Sequence, residues 1–330
     1  MNAGRLELVC PAGTPAASRA AIDAGADAIY LGFRDATNAR NFPGLNFSRA
    51  ELADALSYAH ARGRKVYVAV NTFPRAGEPG PWHRAVDDAA ALGADAVILA
   101  DLGLLDYTAR HHPKLRRHLS VQASASNAES ILFYYRAFAI KRVILPRVLT
   151  VADIAALNRQ IPVETEVFVF GGMCTMAEGR CVLSSYLTGR SPNKDGICSP
   201  PEFVRYVEEG GRLAARLGGV TIDEFGRDEA AGYPTLCKGR FVAGGRAGYL
   251  FEEPVSLNAT SLLPDLKAAG VRALKIEGRQ RGRAYVREVV AAFRRAVDAC
   301  EGARRAQAKR LDPVAEGQRG TRGAYRKGWR

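Results

Sequence analysis

The residues best equipped for chemistry are four cysteines, Cys174, Cys181, Cys198 and Cys237, separated by 6, 16 and 38 residues. The segment from Gly171 to Arg240 holds four of the chain's 6 cysteines and no histidine. Four thiolates suit zinc and an iron-sulfur cluster almost equally. The spacing is neither the paired CxxC of a zinc ribbon nor a ferredoxin run, so an iron-sulfur centre, a structural zinc and unconnected buried thiols all stay open. Glycines at 171, 172, 179, 189 and 196 supply the tight turns a ligand loop requires.

These thiols must be positioned by the elements around them, and one short pattern recurs in those elements. A helical stretch ends at glycine and an aliphatic strand begins three residues later, in AGADAIYLG at Gly25, LGADAVILAD at Gly93 and AGVRALKIEG at Gly270. Glycine suits the left-handed position past a helix end, and an aliphatic run suits a parallel strand buried on both faces. The pattern predicts eight strands: Leu6 to Cys10, Ala28 to Leu31, Lys65 to Val70, Ala96 to Leu99, Leu119 to Gln122, Arg142 to Leu145, Thr165 to Phe170 and Ala273 to Ile276. Helical stretches separate them. Eight alternating units predict a (β/α)8 TIM-like barrel, and no GxGxxG follows the first strand to argue for an open dinucleotide-binding sheet.

Strands four to seven start about 23 residues apart, whereas the seventh and eighth start more than 100 apart, which leaves an insertion of roughly 75 residues after strand seven. The expected organisation is therefore barrel over 1–170, cysteine-bearing insertion over 171–240, last helix, eighth strand and closing helix over 241–300, and a basic tail over 301–330. Loops that follow strand C-termini form the active face of such barrels. The cysteines fall on that face. Polar residues at the same strand ends are Asn38, Arg40, Asn41, Asn71, Gln122, Ser124, Arg147, Lys275, Glu277 and Arg279. Arg40, Arg147 and Arg279, whose guanidinium groups can bind carboxylates in a fork, and Gln122, which offers an amide, are the candidate ligand contacts. The alternative is a structural salt bridge to Glu166, Glu252 or Glu277. Cys10 reads as a packed core thiol and Cys300 as a helix residue without a role. Arg180, Lys238 and Arg240 flank the thiols and would offset a cluster's negative charge.

The net charge is +13, but the last thirty residues hold nine Lys/Arg against Glu301, Asp312 and Glu316, so nearly half the excess lies in the tail. That segment reads as a loose tail or a partner-binding segment, with Tyr325 and Trp329 as its anchors. The N-terminus lacks a signal-peptide run and no stretch reaches the roughly 20 apolar residues of a membrane span, which predicts a cytoplasmic, reducing setting. A Cys-His or Ser-His nucleophile needs its base at the active face. His60 and His83 fall on helices, His111 and His112 at a helix end and His118 before a strand, and HExxH is absent.

Glu166, Phe168, Gly171, Cys174, Gly179, Cys181 and Ser184 match the signature of the collagenase-like peptidase family, with Gly172 where a serine or alanine is expected. The chain resembles that family. VCPAG, TNARNFPGLNF, SVQASASN, LPRVLT, SYLTGRSPNKDGICSP, AGYPTLCKGR, EEPVSLN, KIEGRQR and GAYRKGW extend the resemblance over nearly the whole chain, towards its quinone-modifying branch. The resemblance implies a [4Fe-4S] cluster on Cys174, Cys181, Cys198 and Cys237, and an oxygen-independent hydroxylase of ubiquinone precursors rather than a peptidase. It also implies prephenate as oxygen donor, a heterodimer with the paralogue UbiV, and a lipid-carrier protein that delivers the substrate. Other members of the family use the same donor to hydroxylate tRNA or ribosomal RNA. These are generally longer, so the quinone branch is the expectation and RNA the alternative.

Overall fold

A computed structural model describes residues 5–174, 176, 181–302 and 311–326, with Gln318 described by its backbone alone. Six βα units and a seventh strand come first. The strands are β1 (Glu7–Pro11), β2 (Ala28–Gly32), β3 (Lys65–Val70), β4 (Ala96–Leu99), β5 (Arg116–Leu119), β6 (Arg142–Ile144) and β7 (Glu164–Gly172). The helices between them are α1 (Pro15–Asp23), α2 (Arg49–His60), α3 (Gly80–Ala91), α4 (Leu102–His111), α5 (Ala128–Phe138) and α6 (Val151–Asn158). Capping side chains mark the starts the sequence encodes. Ser48 and Thr150 each form a reciprocal capping box, with Glu51 and Asp153. Asp101 and Asn127 accept from the backbone N–H three residues on.

The chain then leaves the barrel for α7 (Val182–Thr188), α8 (Pro192–Asp195), an antiparallel sheet of β8 (Val204–Glu209), β9 (Arg212–Leu217) and β10 (Val220–Phe225), and a hairpin of β11 (Arg240–Ala243) and β12 (Arg246–Tyr249). It returns through β13 (Ser256–Asn258), which pairs antiparallel with the end of β7, and completes the barrel with α9 (Leu263–Ala268), β14 (Ala273–Ile276) and α10 (Arg283–Glu301). β14 pairs in parallel with both β7 and β1, so the eight-stranded parallel sheet is closed. The fold is the expected (β/α)8 barrel. β2 and β4 are buried at every residue, as strands covered by helices on one side and filled on the other must be.

Two expectations shift. The fifth strand lies over Arg116–Leu119 instead of Leu119 to Gln122, because RRHL, which reads as polar loop, leaves Arg116 exposed but hides Arg117 and His118. Arg117 is buried by donating to the carbonyls of Phe138 at 2.8 Å and Leu115 at 2.9 Å, and His118 points into the barrel against Tyr67. Val121–Ala123 is a 3-10 turn opened by the Ser120 side chain. The C-terminal segment is also no loose tail over 311–326: β15 (Gly320–Thr321) pairs with β13, Leu311 is buried, and the Tyr325 hydroxyl donates to the Phe168 carbonyl on β7. Trp329 lies outside the described residues.

The barrel interior is ionic where many barrels are aliphatic. Arg142 on β6 reaches across to Glu7 on β1 at 2.9 Å, to Glu166 on β7 at 3.0 Å and to Glu164 at 2.7 Å. Strands β6 and β1 are not neighbours, so this contact crosses the lumen. Tyr67 donates to Glu7 at 2.5 Å, and Lys275 on β14 donates to the other oxygen of Glu166 at 2.6 Å. Burial alone would push the Glu7 carboxyl up, but the hydrogen bond and charge of Arg142, with Tyr67, outweigh it and hold the group at about 2.

Candidate active site

Above this ionic layer, at the C-terminal ends of the strands, opens a cavity of about 580 Å³. All four cysteines line it. Cys174 follows β7; Cys181 caps α7, where its sulfur accepts the Ser184 N–H at 3.4 Å. Cys198 follows α8, and its carbonyl accepts the Ser184 hydroxyl, so one serine ties two of the cysteine loops together. Cys237 sits in the 3-10 turn Leu236–Lys238, and its carbonyl accepts the Glu252 N–H at 3.1 Å. Gly171 turns the chain out of β7 at φ +119°, and a Cβ there would stand 2.6 Å from that of Glu277. Only glycine fits this backbone.

The thiols feel one another. Burial pushes the Cys237 thiol up to about 12, and Cys174, Cys198 and Cys181 each push in the same direction, while Lys238 opposes. No cysteine is in a disulfide. Among the described residues no three His, Cys, Asp or Glu groups are spaced to hold a single metal ion. A zinc ion would draw its four sulfurs to about 2.3 Å from one point. A four-iron cluster takes each thiolate on a different iron, which spreads them further. A half-buried quartet of thiols lining one cavity is a donor set that such a cluster could take.

The polar candidates converge on the same cavity: Arg40, Gln122, Arg147 and Arg279 all line it. Arg40 is held in the left-handed region at φ +68°, a cost of roughly 1–3 kcal/mol for a non-glycine residue. Its N–H donates to Gly196 in the cysteine insertion at 2.8 Å, and its Nε stands 3.4 Å from Glu277. Burial raises the Glu277 carboxyl, but Arg40, Arg147 and Arg281 overcome this and hold it ionised. Of the expected structural salt bridges, this one forms. Glu166 instead serves Arg142 and Lys275 below.

Arg279 donates to Asn38 at 2.9 Å and to the Ala39 carbonyl, bonds that aim the guanidinium, and burial lowers its pKa to about 10. Arg147 lies over the Phe168 ring at 3.8 Å. The Gln122 side-chain oxygen is buried with no partner among the described residues, as expected of a group kept for a ligand or an ordered water.

Cys10 is buried away from the cavity and contacts the Leu8 carbonyl at 3.9 Å; Cys300 is on α10. Lys238 lines the cavity and pairs with Glu316 of the C-terminal segment. Arg240 does not line it: Asp223 at 2.5 Å and Glu229 at 2.9 Å hold it on the insertion sheet. Arg180, like Gly179, lies outside the described residues. No histidine lines the cavity, and His118, expected just before a strand, is instead inside the barrel. Two features went unread in the sequence. Phe42 and Tyr233, edge to face at 6.4 Å, form an aromatic lip, and Glu316 lines the cavity beside the strand-end Lys275.

Fold and site together define a closed (β/α)8 barrel whose seventh βα loop carries a thiol-rich insertion over an arginine-lined mouth. The sequence places this architecture in a family. Residues 13–327 match Peptidase family U32, to which the chain belongs. It is 32% identical to tRNA hydroxylation protein P of Escherichia coli K12, over 88% of this chain and 68% of that protein. It is 32% identical to the uncharacterized protease MJ0090 of Methanocaldococcus jannaschii, over 89% and 65%. To the 23S rRNA 5-hydroxycytidine C2501 synthase of E. coli it is 30% identical, over 91% of this chain but 40% of the enzyme. The chain thus spans about two thirds, or less, of the length of these relatives. No helix among the described residues is long and apolar enough to cross a membrane.

Proposed function

We propose that the chain is a hydroxylase acting on RNA, with prephenate as oxygen donor and a [4Fe-4S] cluster on Cys174, Cys181, Cys198 and Cys237. The observation that carries this reading is one cavity in which four thiols face three guanidinium groups, in a chain whose relatives are named for tRNA and rRNA hydroxylation. A bound cluster would supply electron transfer at the cavity wall. Arg40, Arg147 and Arg279 bind and orient the donor's two carboxylates. Glu277 holds Arg40, and the Gln122 oxygen accepts a hydrogen bond from the ligand. The Phe42 and Tyr233 lip offers a stacking face to an incoming base. The net charge of +13 favours a polyanionic substrate, and a cytoplasmic location belongs to the same reading.

A finer reading keeps the cluster and donor but makes the substrate a ubiquinone precursor. The nine sequence strings that extend the family resemblance favour it: they look like UbiU, which would act as a heterodimer with UbiV and receive substrate from a lipid-carrier protein. One experiment separates the two. A deletion strain grown without oxygen is profiled for modified nucleosides of tRNA and rRNA and for quinone intermediates. Loss of a hydroxylated nucleoside, restored by the wild-type gene, supports RNA. An unchanged nucleoside profile with an accumulated quinone precursor overturns it in favour of the quinone.

A further inference from the structure

Lys275 lies next to last in the eighth barrel strand, lines the cavity and is 4% exposed. Its Nζ hydrogen-bonds Glu166 Oε1 at 2.6 Å, and the other oxygen of Glu166 is fixed by Arg142 at 3.0 Å. Nζ also sits 3.7 Å from the centre of the Tyr30 ring, and the guanidinium carbon of Arg279 is 5.7 Å from the same centre. A desolvated amine, a carboxylate that can take its proton and a guanidinium that can take a neighbouring carboxylate thus share one ring at the cavity floor. A lysine that served only to balance Glu166 would have no need to line the cavity.

We propose that Lys275 is a nucleophilic amine that captures a 2-oxo acid as an imine, with Arg279 holding the acid's carboxylate. This deepens the reading above, since its donor, prephenate, is itself a 2-oxo acid. Glu166 takes a proton from the ammonium, and the freed amine attacks the ketone carbon. The C–N bond forms as the C=O bond opens, and the proton passes from Glu166 to the oxygen. That oxygen leaves as water after a second proton passes from the nitrogen through Glu166 to it, so protonated amine plus ketone gives iminium plus water. No oxidant or reductant takes part. The environment favours the first step, because burial, the largest influence, lowers the pKa of the amine although Glu166 opposes it.

The test uses the full chain with phenylpyruvate and cyanoborohydride, followed by peptide mass mapping. The expected result is a reduced adduct on Lys275 above all other lysines, absent in Lys275→Arg and reduced roughly tenfold in Arg279→Gln. The mapping is done on the wild-type chain, so the result does not depend on either variant folding. Phenylpyruvate binding seen by calorimetry without a trapped Lys275, no binding at all, or adducts spread evenly over surface lysines would overturn the proposal. If trapping fails while the deletion strain still loses a hydroxylated nucleoside, only the imine falls; if trapping succeeds with no such loss, only the RNA reading falls.

Discussion

The two ends of the barrel solve the problem of buried polarity in opposite ways. In the lumen, Glu7, Arg142, Glu166 and Lys275 neutralise one another at hydrogen-bonding distance, and Tyr67 closes the network. At the mouth, burial raises the Cys237 and Cys181 thiols, the Gln122 oxygen has no partner among the described residues, and Arg40 bears a strained backbone. A finished network stabilises a fold, whereas a cluster of unreconciled groups persists only where the surroundings hold it in place. Lys275 belongs to both ends, paired below and open to the cavity above. Perturbing each end should therefore produce different losses: function without folding at the mouth, folding at the lumen.

The largest effect is expected at the mouth. Cys237→Ala and Cys174→Ser should each abolish bound iron and the brown chromophore in protein purified without air, and with them hydroxylation, while the barrel keeps its far-UV circular dichroism. Iron and sulfide retained at wild-type levels in both variants would mean the ligand set is wrong. Next comes the lumen. Arg142→Leu strands Glu7 and Glu166 without their shared cation, and removing one partner from a buried pair costs about 3–5 kcal/mol. Denaturant titration should show that loss; a change below about 1 kcal/mol would mean the ionic layer carries little stability.

The contrast also explains what the sequence could and could not disclose. The helix-glycine-strand pattern at Gly25, Gly93 and Gly270 is local, and the structure puts all three glycines at positive φ, so the barrel was legible. The thiols and the strand-end arginines were legible because βα loops collect at one face whatever their sequence separation. What was hidden is non-local. RRHL reads as loop because nothing nearby shows that Arg117 would find backbone carbonyls or that His118 would face Tyr67. Glu316 reaches Lys238 only because β15 docks on β13, a pairing of two-residue segments too short to leave a periodic signal. Glu164 and Glu166 meet Arg142 only because β6 lies beside β7 in the closed sheet, a pairing that no local pattern shows.

The acid limb of stability sharpens the lumen side. Glu7 falls from an ordinary 4.5 to about 2 in the folded chain, so its contribution is fully present above pH 4.5 and fades as pH drops through about 2. A shift of this size corresponds to about 3 kcal/mol. Glu7→Gln should lower stability at neutral pH by up to that amount and flatten the loss between pH 4.5 and 2 relative to the wild type. Parallel stability-pH curves for the two proteins would show that Arg142 does not depend on Glu7.

The smallest effect is expected where the C-terminal segment meets the barrel. Tyr325 is buried and its hydroxyl donates to the Phe168 carbonyl on the strand that leads to Cys174, while Arg326 pairs with Asp265 at 2.7 Å on the surface. Tyr325→Phe keeps the ring packing and removes one hydrogen bond, so stability should fall by about 1 kcal/mol with iron content unchanged. Arg326→Ala, losing an exposed pair, should change it by less than about 1 kcal/mol. If Tyr325→Phe instead lowered iron occupancy, the segment would be holding the thiol site as well as the fold. The route is short, because Glu316 of the same segment already pairs with Lys238, the residue beside Cys237.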